Sequence, residues 1–150
     1  MVVVGAFEDE VRAAVGTVED VTIVLNPKWE SGLASSLATG IEVAQAMMHD
    51  GALVMTTDQP LINSANLAAL IDAFDDSHRI VASSYDGILG VPAVFAQEHF
   101  DALMQLAGDE GAGRWLRTRS SDVRQIKMDR ASVDIDTPAD VERLLSINSK

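Results

Sequence analysis

Residues 52–63, "ALVMTTDQPLIN", decide the fold. An apolar run stops at two threonines, and an aspartate then stands in front of a proline turn, the punctuation of a strand that ends at a loop. The same rhythm extends outward in both directions. Toward the N-terminus, "MVVVG" (1–5) and "DVTIVLN" (20–26) read as buried strands, with "AFEDEVRAAV" (6–15) predicted as a helix between them. "PKWESG" (27–32) then leads into "LASSLATGIEVAQAMMH" (33–49), which puts Leu33, Leu37, Ile41, Ala44 and Met48 on one helical face, predicted to be core. Toward the C-terminus, "SANLAALIDAF" (64–74) spaces Leu67, Leu70, Ile71 and Phe74 by turns of a helix. "RIVASSY" (79–85) and "VPAVFA" (91–96) flank "DGILG" as two strands and a glycine-containing turn. "EHFDALMQL" (98–106) and "EGAGRWLR" (110–117) are predicted helices, and "VRQIKMD" (123–129) alternates like a half-exposed strand. "VDIDTPADVERLL" (133–145) closes as an apolar strand and a helix with a full start signal: Thr137 as cap, Pro138 in the first turn, Asp140 three after the cap. Strand and helix alternate throughout, which predicts one α/β domain over 1–150 with a mainly parallel sheet and helices on both faces.

Composition sets the outer limits. Of 150 residues, 47% are apolar and 23% charged, a globular balance, and the formal net charge is −12. So acidic a surface repels nucleic-acid backbones and anionic membranes, and neither is an expected partner. Cysteine is absent, which excludes a disulfide framework and a thiolate zinc site. The first residues carry no signal-peptide pattern, and no apolar run approaches the roughly 18 residues of a membrane span, so the expected location is cytoplasmic.

Ligands of open α/β sheets collect beyond the carboxyl ends of the strands, where Asp58 is predicted to lie. Pro60 restricts Gln59 to extended backbone and stiffens the turn that presents the carboxylate. A turn aspartate without further duty is the plain alternative. The "VDIDTP" segment, however, also delivers carboxylates, Asp134 and Asp136, to a helix cap. Two such groups can share a hard divalent cation, typically Mg²⁺, with Asp136 the favoured partner because Asp134 alternates toward the other face. In "NPKWESGLASSLATG" (26–40), Trp29 offers a flat ring, Gly32 close backbone approach, and Ser35 and Ser36 hydroxyls at a helix start that favours anions or base carbonyls; a capped helix with a packed Trp reads equally well. Arg114, Arg117, Arg119, Arg124, Lys127 and Arg130 form a basic span that suits an anionic substrate or simply a solvated face. His49, His78 and His99 show no carboxylate or His partner at ligand spacing, and no Gly-x-Ser-x-Gly elbow is present.

"NPKWESGLASSLATGI", "TTDQPLI", "GVPAVF", "GDEGAGRWL" and "DIDTPADV" follow one another in the order and spacing of the MobA-like nucleotidyltransferases, and over nearly its whole length the chain resembles that family. Asp-Gln-Pro with Ser-Ser is most similar to the cytidylyltransferase branch. The resemblance implies a Rossmann-like three-layer α/β/α sandwich of the glycosyltransferase-A (nucleotide-diphospho-sugar transferase) type. It also implies transfer of a nucleoside monophosphate from CTP or GTP to a phosphorylated acceptor such as molybdopterin, with release of pyrophosphate. By position it makes Asp58 a catalytic residue and, with Asp136, a Mg²⁺ ligand. Asn26, Gly32, Ser35 and Ser36 fall in the segment facing base and ribose. Gln59 and Pro60 follow the metal aspartate, Gly90 and Pro92 match a Gly-x-Pro element beside the acceptor, and Gly108 and Asp109 open a loop on that side. The family's opening strand and its glycine-rich loop with Arg and Lys have no counterpart here, since "MVVVGAFEDEVRAAV" corresponds to the family's second strand and following helix. The fold is therefore expected to be truncated at its N-terminal strand and loop, with the gap closed by neighbouring strands, by sheet pairing in a homodimer, or by sequence upstream of Met1. Two further readings follow: a non-catalytic nucleotide- or subunit-binding module that self-associates, and a small doubly wound domain that binds a phosphorylated metabolite.

Overall fold

The computed structural model describes residues 1–16 and 18–147, and these divide into two compact units, residues 1–52 with 95–118 and residues 53–94 with 119–147. In the first unit, β1 (Val2–Val4) and β2 (Ile23–Leu25) pair in parallel with Val3 opposite Val24. They are joined through α1 (Glu8–Val15), whose first turn holds Glu8, Asp9 and Glu10, acids placed where the exposed amides of a helix start favour negative charge. Helix α2 (Leu33–Ala46) buries Ala34, Gly40, Ile41 and Ala44 and packs on β1 and on α4 (Phe100–Met104). Gly40 lies so close to Val3 that an added Cβ would stand 3.2 Å from its Cγ2. The face is thus set by small residues that let helix and strand approach. Leu33 and Met48, predicted as core, are exposed; the helix ends at Ala46, and Met48 turns outward with a left-handed φ of 57°. Phe95, Phe100, Leu103, and Trp115 and Leu116 of α5 (Ala112–Arg117) complete the apolar interior, with Phe95 edge-on to Trp115 at 5.8 Å between ring centres.

The strands form two sheets rather than the single sheet expected: the β1–β2 pair, and a four-stranded sheet of order β3-β5-β4-β6. β3 is Gly51–Val54, β4 Ile80–Tyr85, β5 Ile88–Ala96 and β6 Arg124–Lys127. β4 and β6 run parallel with Val81 opposite Arg124, whereas β4 and β5 are a hairpin whose two-residue turn is Asp86-Gly87. Both turn residues have positive φ, 51° and 75°, as the tightest hairpin turns require. The turn is shorter than predicted because Ile88, Leu89 and Gly90 already belong to β5.

The core of the second unit joins Leu70 and Ala73 to Val81, Val94, Met128 and Ala131, with Leu53, Ile62, Phe74, Tyr85 and Ile126 packed around them. Leu70 belongs to α3 (Ser64–Asp72), which starts from a reciprocal cap between Asn63 and Asn66. Ile71, spaced with Leu67, Leu70 and Phe74 by turns of the helix, is 55% exposed, because only one side of this short helix meets β4. The segment 133–136, predicted as a strand, pairs with no strand; it runs as a loop from a 3-10 turn (Asp129–Ser132) to α6 (Pro138–Ile147). The start of α6 follows the predicted signal, since Thr137 N–H and hydroxyl both donate to Asp140 Oδ2, at 2.9 and 2.7 Å. These bonds favour the ionised carboxyl and hold the Asp140 pKa below its ordinary value.

Candidate functional site

In the first unit the predicted base-side residues form one hydrogen-bonded block. Asn26 follows β2 and is fully buried. Its backbone N–H donates to Val4 O at 2.8 Å, tying the loop to β1. Its side-chain Nδ2 donates to Ser35 Oγ (2.8 Å) and Ser36 Oγ (3.0 Å), and Oδ1 accepts from Lys28 N–H at 2.9 Å. The Ser35 hydroxyl is within reach of the carbonyls of Lys28 (3.0 Å) and Gly32 (2.8 Å), so its one proton is used locally. Ser36 Oγ accepts from Asn26, and its hydroxyl donates to nothing among the described residues.

Gly32 has φ 107°, a conformation open to glycine alone, and an added Cβ would lie 2.3 Å from Gly108 O. That carbonyl accepts from Ala34 N–H at 3.0 Å. The start of α2, predicted to favour an anion, is thus satisfied in part by a backbone carbonyl of the chain itself. Asp109 comes with it: its Oδ1 would lie 2.8 Å from the Gly32 Cβ. Gly108 and Asp109 therefore sit against the Gly32–Ser36 segment. Trp29 is 42% exposed and packs over Gly5, where a Cβ would meet Trp29 Cβ at 2.3 Å.

In the second unit Asp58 is half-buried four residues beyond β3, and Thr56 Oγ1 donates to its Oδ1. Asp58 O accepts from Ile135 N–H at 2.9 Å. The two acidic loops therefore meet through their backbones, with Asp136 next along the chain and exposed. Gln59 is 8% exposed; its Nε2 donates to Val91 O (3.0 Å) and Ala131 O (2.8 Å), and its Oε1 is buried without a hydrogen-bond partner. Pro60 is exposed. Gly90 faces the Tyr85 ring, whose hydroxyl would stand 2.2 Å from an added Cβ, and Pro92 is buried after a cis bond from Val91. Ser83 Oγ donates to Pro92 O at 2.6 Å from the neighbouring strand. Among the described residues no three His, Cys, Asp or Glu side chains gather as metal ligands. A cation held by the Asp58 and Asp136 carboxylates would draw its other ligands from water and bound oxygens, which suits a hard divalent ion.

The sequence missed Thr56, whose hydroxyl two residues before Asp58 donates to the carboxylate. It also missed the Gly108 cap, for which no local signal exists. His78 is not alone: its Nδ1 lies 2.9 Å from Asp75 Oδ1, with Arg124 3.9 Å from the same carboxylate, and the His78 contact lowers the Asp75 pKa. Much of the basic span is answered by neighbouring acids, Arg114 by Glu110 at 2.6 Å and Lys127 by Asp129 at 3.3 Å.

An α/β chain of Rossmann-like type, with glycine-dependent loops after its strands, defines the class. The chain belongs to the family of the MobA-like NTP transferase domain, whose model matches residues 1–125. It is similar to the purine catabolism protein PucB of Bacillus subtilis (strain 168), 31% identical over 116 residues, 75% of this chain and 56% of PucB. It thus spans little more than half the length of that curated relative. The crystal structure of Rv0371c from Mycobacterium tuberculosis H37Rv is 29% identical with a TM-score of 0.77, covering 96% of this chain and 74% of that one. The Rv0371C complex with manganese gives 29% identity and a TM-score of 0.71, covering 96% and 76%.

Proposed function

We propose that the chain acts as a nucleotidyltransferase, moving a nucleoside monophosphate from CTP or GTP to a phosphorylated small-molecule acceptor such as molybdopterin. An acceptor phosphate oxygen bonds to the α-phosphorus as the α–β P–O bond breaks, and pyrophosphate carries away the electron pair. The observation that carries this reading is the hydrogen bond from Ile135 N–H to Asp58 O, which brings two acidic loops together. Asp58 and Asp136 are the proposed ligands of a divalent cation, Mg²⁺. When bound, such an ion neutralises triphosphate charge and stabilises the leaving pyrophosphate. Thr56 orients Asp58 through Oδ1 and leaves Oδ2 for the cation. Ser36 offers the hydroxyl that Ser35 cannot, and Asn26 fixes both serines against β1. Gly90 and Pro92 border the acceptor in this reading, whereas Gly108 and Asp109, expected on the acceptor side, are assigned to the base side because they lie against Gly32.

The manganese complex of a relative supports a divalent cation here. A cytoplasmic site of action belongs to the same proposal; among the described residues no helix is long and apolar enough to cross a membrane. Calorimetric titration with CTP and GTP in the presence of Mg²⁺, beside an assay for pyrophosphate, tests the reading. Binding by the wild type that is lost in Asp58→Asn is the expected result; no binding of either nucleotide rejects it. A second reading, a binding module that self-associates by sheet pairing, is favoured by the division into two sheets, which makes β1 and β3 edge strands. A monomer in sedimentation at high concentration removes it.

A further inference from the structure

Gln59 is a buried amide placed where an apolar side chain would pack without an orphaned oxygen. Its Nε2 spends both protons, one on Val91 O and one on Ala131 O, so the amide orientation is fixed by its partners. Its Oε1 is buried and unpaired, an arrangement that costs stability. Retaining the amide therefore points to what the two donated bonds hold. They link three segments that are remote in sequence: the Asp58 turn, Val91–Pro92 of strand β5 and the 3-10 turn that leads toward Asp136. The Asp58 O to Ile135 N–H bond lies beside this junction, and Ser83 braces Pro92 O from β4.

We infer that Gln59 is the positioning residue of the acidic pair, setting the Asp58 loop against the 131–136 segment rather than touching substrate. The inference rests on the proposed cation site for its consequence but not for its geometry. Breaking the clamp lets the two loops separate, and a cation that needs both carboxylates is then held more weakly.

The test uses the full chain, ¹⁵N-labelled, with Gln59→Met, which matches the side chain in length and cannot donate. Two quantities are read: hydrogen exchange of the Ile135 amide and Mn²⁺ affinity by electron paramagnetic resonance. Exchange at Ile135 is expected to rise at least tenfold while the Val81 and Ala82 amides of β4 keep their protection. Mn²⁺ affinity is expected to fall roughly tenfold, the usual effect of removing support behind a ligand. Leu103→Ala, which loosens the core of the first unit and has no part in the junction, is expected to keep the wild-type Mn²⁺ affinity. Unchanged Ile135 exchange in Gln59→Met overturns the inference, as does an equal loss of Mn²⁺ affinity in Leu103→Ala. Should Gln59→Met fail to fold, Gln59→Asn keeps the amide but is too short to reach both carbonyls, and the same two readings apply. A wild type that binds no Mn²⁺ overturns the cation site instead, and Ile135 exchange alone then decides the clamp.

Discussion

Replacing Gly32 by alanine tests how much of the first unit depends on one backbone position. At φ 107° and ψ 173° the residue occupies a region that costs any L side chain about 1–3 kcal/mol. The new methyl would also stand 2.3 Å from Gly108 O, and backbone there must move. Movement breaks the bond from Ala34 N–H to Gly108 O, about 1 kcal/mol. The expected loss is about 3 kcal/mol, which in a domain of this size lowers the melting temperature by roughly 6–12 °C. Urea and thermal unfolding followed by circular dichroism measure it. Gly108→Ala supplies the comparison: its φ is 61°, nothing lies within 4 Å of an added Cβ, and only the left-handed penalty of about 1–2 kcal/mol applies. Equal losses in the two variants, or a loss below about 0.5 kcal/mol in Gly32→Ala, refute the reasoning, because the close contacts with Gly108 O and Asp109 Oδ1 burden Gly32 alone.

Three other outcomes are expected. Asn26→Ala removes the partners of Lys28 N–H and of both serine oxygens at a buried site, and should cost about 3 kcal/mol in urea unfolding. Ser36→Ala should weaken nucleotide binding in calorimetry with little change in melting temperature, whereas Ser35→Ala should act on stability instead. Because the folded Asp140 pKa is depressed, its contribution is complete above the ordinary value of 3.8 and is lost as pH falls through the folded pKa. A carboxyl titration by nuclear magnetic resonance should therefore show Asp140 midpoint below 3.8, with fraying at the start of α6 following it down; Asp140→Asn should remove the pH dependence.

The six strands of the described residues were legible because β-branched runs between turn residues leave a period-two or fully apolar trace. Helix faces were read less well. Of the predicted face, Ile41 and Ala44 are buried, but Leu33 and Met48 are exposed because α2 stops at Ala46, and Ala34 and Gly40 join the buried stripe, where smallness rather than hydropathy decides what meets β1. "VDID" alternates like a strand, yet its backbone finds Asp58 O in place of a ladder, and no local pattern encodes that choice. Division into two sheets was illegible for the same reason, since pairing depends on which strands lie adjacent. At the site, the Asp-Gln-Pro turn announced a rigid carboxylate, but composition could not show that Gln59 points inward. Nor could it show that a glycine carbonyl far along the chain completes the start of α2.

The asparagine network also governs how this protein ages. Spontaneous deamidation proceeds when the following backbone nitrogen attacks the side-chain carbonyl, and Asn26 is followed by Pro27, whose nitrogen bears no proton to lose. The one asparagine that braces two serines is thereby shielded from the commonest chemical damage of stored protein. Asn63, the cap of α3, is followed by Ser64 and is open to it; the cyclic imide opens to isoaspartate as well as aspartate, and only the aspartate keeps a side chain that caps α3.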